Sequence, residues 1–461
     1  MAILKTLAGA CLVASALASP TPTEKEAARV EARQGTTGAP ITNQNQLDAA
    51  LRSLSAGATA GAAILTNIVP APGPSSIPQF AAEIQKVAAT NPRDIFQNGA
   101  EILLGGLAGP GDFVTIAKAY TIESSTFNIN PRPAFPPVYP QNGPNDAPYS
   151  LTEAQLRQII YIPPDFTYGR KPPVLFLPGT GALAGSNFGP NYAKLFRAQN
   201  VADPVFVNLP GQNLADIQIA AEYVAYAINY ISRISGGRKV NTVSWSAGSL
   251  DAQWALKYWP STRNNVANKI SISGDYHGTI LAELLCPGFP TPGCTPAVAQ
   301  QNYNSTFINT LRNNGGDAAY VPTTNIYSIF DEVVQPQQDP NASGALRSGA
   351  AQSSNTELQN VCTALLPGGA PNNNHEGVLY NSLAYALAKD AILNNGPGQL
   401  SRVNTTLACS QFAAPGLTLA DIFATEALIP IAAAAIIAYP EKVATEPPIK
   451  AYARKDIPPG F

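Results

Sequence analysis

Ser246 lies in Thr242-Val-Ser-Trp-Ser-Ala-Gly-Ser-Leu250, where an apolar run meets a helix-forming one, with the small residues Ser244 and Gly248 two positions to either side. A serine on so sharp a strand-to-helix turn has its hydroxyl pushed into open space, and the turn closes only if those flanking side chains are small. Glycine is usual at the first flank, so Ser244 is a departure. Such a serine becomes a nucleophile only beside a base. The chain has two histidines. His375, in Pro371-Asn-Asn-Asn-His-Glu-Gly377, occupies a polar, glycine-ended loop downstream and is the candidate base. His277 would precede any acid drawn from Asp331 onward, against the serine, acid, histidine order that goes with this elbow, and reads as a loop or pocket-wall residue. Asp331 follows the alternating apolar run Thr324 to Phe330 and is the candidate acid, placed to fix the imidazole tautomer and stabilise the imidazolium. Glu332 reads as its solvated neighbour.

Acyl chemistry also needs donors aimed at the oxygen that becomes negative. Pro172 to Leu177 is an apolar strand that breaks into Pro178-Gly-Thr-Gly181, which lets the Thr180 amide and hydroxyl turn inward. The second amide, that of the residue after the nucleophile, belongs to Ala247. No His-Glu-x-x-His spacing, Gly-x-Gly-x-x-Gly string or P-loop occurs, so neither a metal nor a nucleotide cofactor is expected. With 28 basic against 30 acidic residues, the chain offers no polycationic field for nucleic acid and no basic run for acidic lipids.

Elements that could position these residues follow from the pattern. Runs over Gln158–Ile162, Val174–Leu177, Pro204–Asn208, Val240–Ser244, Lys269–Ser273 and Asn325–Ile329 read as strands, alternating with helices such as Ala215–Ile234. This predicts an α/β fold, a mostly parallel sheet with helices on both faces. The elbow then sits at a strand's carboxyl end, where open α/β sheets present ligands. Ahead of it, Leu47, Leu51 and Leu54, then Phe80, Ile84 and Val87, fall at helical spacing and predict a mainly helical N-terminal region over 35–130. That region has no catalytic constellation and reads as a packing or lid-like attachment. A proline-rich linker, 131–148, separates it from the hydrolase part, 149–461.

Met1 to Ala18 reads as a signal peptide, with Lys5, an apolar stretch and a small-residue site at Ala16-Leu-Ala18. Residues 19–34 read as a short propeptide cut after Arg33. Past Cys11, four cysteines remain, Cys286, Cys294, Cys362 and Cys409, an even number suited to an oxidising compartment with three pairings open. Asn304-Ser-Thr, Asn341-Ala-Ser and Asn404-Thr-Thr are N-glycan acceptors. A secreted, extracellular, monomeric protein is expected. The apolar segment Ala427–Tyr439, thirteen residues with Pro430 inside, is too short for a transmembrane anchor.

Longer strings make the chain recognisable. Leu177-Pro-Gly-Thr-Gly181, Ser244-Trp-Ser-Ala-Gly248 with Ala252-Gln-Trp254, Asp275-Tyr-His-Gly-Thr279, Thr310-Leu-Arg-Asn-Asn-Gly-Gly316, and Val321-Pro-Thr-Thr-Asn-Ile-Tyr327 with Asp331-Glu-Val-Val-Gln-Pro336 resemble the Candida antarctica lipase B family of secreted fungal lipases, over residues 150 to 456. The resemblance implies an α/β-hydrolase fold, with Ser246, Asp331 and His375 as triad and Thr180 and Ala247 at the oxyanion hole. It implies that Trp245 floors the alcohol pocket, that Asp275 and Gln301 lie near the acyl side, and that Asn187 and Val333 line the pocket. Ala247 and Asn187 replace a larger polar and a small hydroxyl residue of the family, so alcohol selectivity does not carry over. It also implies a Cys362–Cys409 disulfide, which leaves Cys286 with Cys294. The family's counterpart of Ala427–Tyr439 is a mobile helix at the mouth of the site, and an exposed apolar helix there would favour greasy substrates or a transient lipid–water interface.

The expected activity is hydrolysis of carboxylic esters such as triacylglycerols through an acyl-enzyme, without a cofactor. A carboxylesterase for short or soluble esters is the alternative within enzymes. From another class, the alternative is a catalytically silent hydrolase-fold binding protein.

Overall fold

The computed structural model describes residues 39–55, 61–90, 92, 94–109, 119–285 and 293–461. The signal peptide, the propeptide and Cys286 lie outside the described residues.

The helical spacing near the start produces α1 (Gln44–Ser55), α2 (Gly61–Asn67), α3 (Ile77–Ala89) and α4 (Ile95–Leu104). Each of the last two starts on a side-chain cap: Ser76 accepts from the Gln79 amide at 3.4 Å, and Asp94 accepts from Phe96 at 2.8 Å and Gln97 at 2.9 Å. Those amides have no partner inside the helix, so the caps fix where each helix begins. Leu47, Phe80, Ile84 and Val87 are buried as their spacing predicts.

Seven strands follow: β1 (Ile160–Tyr161), β2 (Pro173–Leu177), β3 (Asp203–Val207), β4 (Val240–Trp245), β5 (Val266–Ile272), β6 (Thr323–Tyr327) and β7 (Ser353–Glu357). Their spatial order is β1-β3-β2-β4-β5-β6-β7, with only β1 antiparallel to its neighbour. Six strands match the sequence pattern. The seventh, Ser-Ser-Asn-Thr-Glu, is a polar edge strand with no apolar run to reveal it.

Side-chain alternation divides the core into two layers. Val174 and Phe176 of β2 join one apolar cluster, whereas Leu175 and Leu177 join the other. The second layer is filled mainly by α5 (Ile217–Ile234) and α6 (Gly248–Tyr258), the first by α7 (Ser382–Asn394), α8 (Leu419–Glu426), α9 (Leu428–Ala438) and the N-terminal helices. Phe80 of α3 packs edge-on against Phe423 of α8, with ring centroids 5.2 Å apart.

The apolar run near the C-terminus forms a helix, but not an exposed one. Residues Leu428, Ile429, Pro430, Ala432, Ala433, Ala434, Ala435 and Ile436 are buried. Helix α4 lies across it so closely that a Cβ on Gly99 would stand 3.1 Å from the Pro430 Cα. Helices α8 and α9 together run 20 residues, long and apolar enough to cross a membrane, yet most of their surface is covered inside the molecule. The physical difference from the expectation is that residues 39–109 supply the apolar partner. The stretch 131–148 is likewise held to the hydrolase part: Ala134, Val138 and Ala147 are buried, and Asp146 accepts from the Ser261 amide at 2.9 Å.

Candidate active site

Strand order reverses direction between β2 and β4, since β3 lies on one side of β2 and β4 on the other. Loops leaving two such strands diverge and open a crevice. Ser246 follows β4 in that crevice with φ 53°, a left-handed conformation that serine adopts only when the surrounding structure demands it. Gly248 must be glycine, because a Cβ there would come within 2.5 Å of the Leu177 carbonyl oxygen at the end of β2. Ser244 fits in glycine's usual place because its hydroxyl turns to the Ile270 carbonyl of β5 at 3.2 Å.

The loops after β6 and β7 bring the acid and the histidine together. Asp331 Oδ2 accepts from His375 Nδ1 at 2.7 Å, while Asp331 Oδ1 accepts from the Val333 amide at 3.0 Å and the Val334 amide at 2.7 Å. The His375 backbone oxygen accepts from Trp245 Nε1 at 3.0 Å and from Ser273 Oγ at 2.9 Å, and the Trp245 and His375 rings lie 4.9 Å apart. The histidine is thereby tied to the residue just before Ser246. Burial alone would lower the His375 pKa. The charge and hydrogen bond of Asp331, with Glu332 and Asp275 behind, instead raise it above its ordinary 6.5.

Thr180 leaves β2 beside the elbow. Its hydroxyl donates to Gln301 Oε1 at 3.1 Å, and Gln301 Nε2 donates to the Ala297 carbonyl at 3.0 Å, so the side chain is braced. The preceding amide, that of Gly179, donates to Asn187 Oδ1 at 3.0 Å. Gly179 lies against the Trp245 ring, where a Cβ would approach to 2.5 Å. Ala247 caps α6, whose N-terminus adds a partial positive charge next to Ser246.

The remaining candidates are placed as follows. Asp275 is buried, its Oδ1 3.2 Å from Ser249 Oγ and its Oδ2 without a partner, and burial pushes its carboxyl up to about 7. Val333 is buried, its carbonyl accepting from Thr279 Oγ1 at 2.9 Å. His277 is paired with Asp317 at 2.8 Å rather than with Asp331. Glu332 is a correction: it is not a solvated neighbour, because its Oε2 accepts from the His375 amide at 3.2 Å and its Oε1 from Asn98 Nδ2 at 2.5 Å. Glu332 is half-buried, and this partial burial with the adjacent Asp331 pushes its carboxyl up to about 8. Cys362 and Cys409 form a disulfide, with Cα atoms 5.1 Å apart. Cys294 is disulfide-bonded as well. Asn304, Asn341 and Asn404 are at the surface.

A parallel sheet with a serine elbow at its reversal point, and a paired acid and histidine on later loops, is the architecture of an α/β-hydrolase. No family model matches the chain. Lipase B of Pseudozyma antarctica is 35% identical over 285 residues, 61% of this chain and 79% of that protein. The crystal structure of Aspergillus fumigatus lipase B superposes with a TM-score of 0.80 at 39% identity, over 98% of this chain and 99% of that one. A weaker likeness, to the mature Bacillus licheniformis lipase BlEst2, has a TM-score of 0.31 at 21% identity over 36% of this chain and 70% of that one, and carries no argument. The chain belongs to the lipase B family. It is a carboxylic ester hydrolase.

Proposed function

We propose that the protein is a secreted serine lipase in which Ser246, His375 and Asp331 form the catalytic triad, and the amides of Thr180 and Ala247, with the Thr180 hydroxyl, form the oxyanion hole. The observation that carries this reading is the Asp331–His375 pair, 2.7 Å apart and tied through Trp245 to a serine at positive φ.

His375 Nε2 takes the Ser246 proton as Oγ bonds to the ester carbonyl carbon. The carbonyl oxygen becomes negative, and donors fixed in advance stabilise it most because they need not reorganise. Gln301 and Asn187 supply that fixity through Thr180 and Gly179. The imidazolium then gives its proton to the leaving oxygen, the C–O bond breaks, and the alcohol departs. Water, deprotonated by the same histidine, releases the acid from Ser246. Asp331 keeps the proton-bearing nitrogen turned toward itself, so that the other nitrogen faces the serine. No cofactor enters any step.

Exposed Ile280, Leu284 and Tyr303 favour a lipid–water interface, since Thr279 is bonded through its amide to the Gln301 carbonyl at 2.8 Å, placing this apolar surface beside the acyl-side residues. The covered helix α9 favours the second reading, a carboxylesterase for short or soluble esters, because it removes the greasy mouth expected there. Secretion is supported by the Met1–Ala18 pattern, the Cys362–Cys409 disulfide and three surface glycan acceptors. Hydrolysis of p-nitrophenyl esters from acetate to palmitate tests the choice. Rates that climb with acyl length support the lipase; activity confined to acetate and butyrate supports the esterase.

A further inference from the structure

The N-terminal helices do more than cover α9, because one polar side chain leaves them for the catalytic loops. Asn98 faces inward from the middle of α4, is only 1% exposed, and donates Nδ2 to Glu332 Oε1 at 2.5 Å across 234 residues of chain. The other Glu332 oxygen accepts from the backbone amide of His375 at 3.2 Å. A carboxyl that bridges two donors has its plane fixed by both. The His375 backbone is therefore held on its oxygen by Trp245 and Ser273, and on its nitrogen by a carboxyl that Asn98 orients.

The helix that carries Asn98 is itself firmly seated. Asp94 caps its first turn, and Gly99, next in sequence to Asn98, allows the close approach to Pro430. We propose that Asn98 is a positioning residue of the active centre, through which residues 39–109 set the orientation of Glu332 and hence of the His375 loop. The inference rests on the triad reading above, in which His375 is the base.

The surroundings make this contact sensitive to charge. Asp331 and His375 face Glu332 directly, and Glu376 faces it from the same loop as His375. Glu376 is in turn bonded to Glu426 of α8, while α9 carries no titratable side chain and Glu101, on the same helix as Asn98, is bonded to Gln97, Gln44 and Thr90. Among the described residues His375 is the cation that faces these acids, so a neutral amide donor at position 98 suits the site better than a further carboxylate.

Full-length Asn98→Ala is expected to show kcat lowered about tenfold with KM within about twofold, as for a displaced catalytic group rather than a lost binding contact. Ile102→Ala, a core truncation on the same helix, is the control for simple destabilisation, and the folded enzyme should keep its kcat. Asn98→Asp keeps the shape and tests the contact even if the alanine variant does not fold. The introduced carboxyl shares a proton with Glu332 while either of the two is protonated and repels it once both are ionised, so the ratio of this variant's kcat to wild type should hold at low pH and fall as pH rises through about 8. A kcat within twofold of wild type for Asn98→Ala, a kcat loss in Ile102→Ala equal to that in Asn98→Ala, or a pH-independent ratio for Asn98→Asp overturns the proposal. Ser246→Ala separates the two claims: if it retains activity the triad reading fails and this inference with it, whereas loss in Ser246→Ala beside an unaffected Asn98→Ala sinks the inference alone.

Discussion

In the parallel sheet, Ser246, Asp331, His375 and Thr180 each follow a strand's carboxyl end, and polar bonds of 2.7 to 3.2 Å hold their loops in place. In residues 39–109 the contacts to the rest of the molecule are mainly apolar, with Phe80, Ile84, Ile95, Phe96, Ile102 and Leu103 in the same cluster as α8 and α9. Asn98 crosses between them with a polar bond to Glu332. The contrast teaches that the two regions should respond to substitution in different ways: the sheet's loops in rate, the N-terminal helices in stability.

The largest effect expected on the rate side is from Ser246→Ala, which should lower kcat/KM for p-nitrophenyl butyrate by at least ~10⁴-fold while leaving the thermal unfolding midpoint nearly unchanged. A comparable loss from any core substitution in α3 would break the contrast. Asp331→Asn should cost on the order of 10⁴-fold, and it carries a pH signature. In the proposed triad His375 acts as base only when neutral, so kcat/KM should rise with pH through its raised pKa, above 6.5. Removing the Asp331 charge should move that acid limb to lower pH, which a pH–rate profile will show. Gly181 sharpens the comparison, because it packs the Thr180 loop on α9, the helix that α4 covers: its φ is +76°, and a Cβ would lie 2.6 Å from the Ala432 Cα of α9. Gly181→Ala should displace the loop that carries Thr180 and lower kcat about ten- to a hundredfold, with a loss of stability as well.

On the stability side, Phe80→Ala should cost about 3–5 kcal/mol in denaturant unfolding while the folded enzyme keeps its kcat. The smallest effect is expected at Glu426, whose carboxyl burial raises to about 7. An acid whose folded pKa exceeds its unfolded value binds its proton more tightly when folded, so its contribution is full at low pH and is lost as pH rises from about 4.5 to about 7. Glu426→Gln should flatten that decline, by about 2–3 kcal/mol between pH 5 and pH 8.

Much of the site is legible in the sequence because chemistry restricts residue type. Few serines stand between such small neighbours, only two histidines exist, and strand-end acids are rare, so Ser246, His375 and Asp331 follow from type and order. Strands β2 and β3 are legible because burial on both faces makes them mainly apolar, and β4 to β6 because apolar residues recur between buried polar ones. What the sequence hides are properties conferred by distant partners. Glu332 looks like a surface acid until Asn98, 234 residues earlier, and the His375 amide surround it. Ala427–Tyr439 looks like an exposed greasy helix until α4 is laid across it. Asn187 reads as a pocket residue, and nothing in its surroundings along the chain announces that its Oδ1 holds the Gly179 amide. The polar strand β7 escapes for the opposite reason, since an edge strand needs no apolar face.

The most direct test of the central claim is to treat the purified protein with a serine-directed alkyl phosphonate and map the adduct by peptide mass spectrometry. The expected result is a single stoichiometric adduct on Ser246, absent in Ser246→Ala and slowed severely in His375→Ala. An adduct on another residue, or an unreactive Ser246 in protein that still hydrolyses esters, would contradict the account.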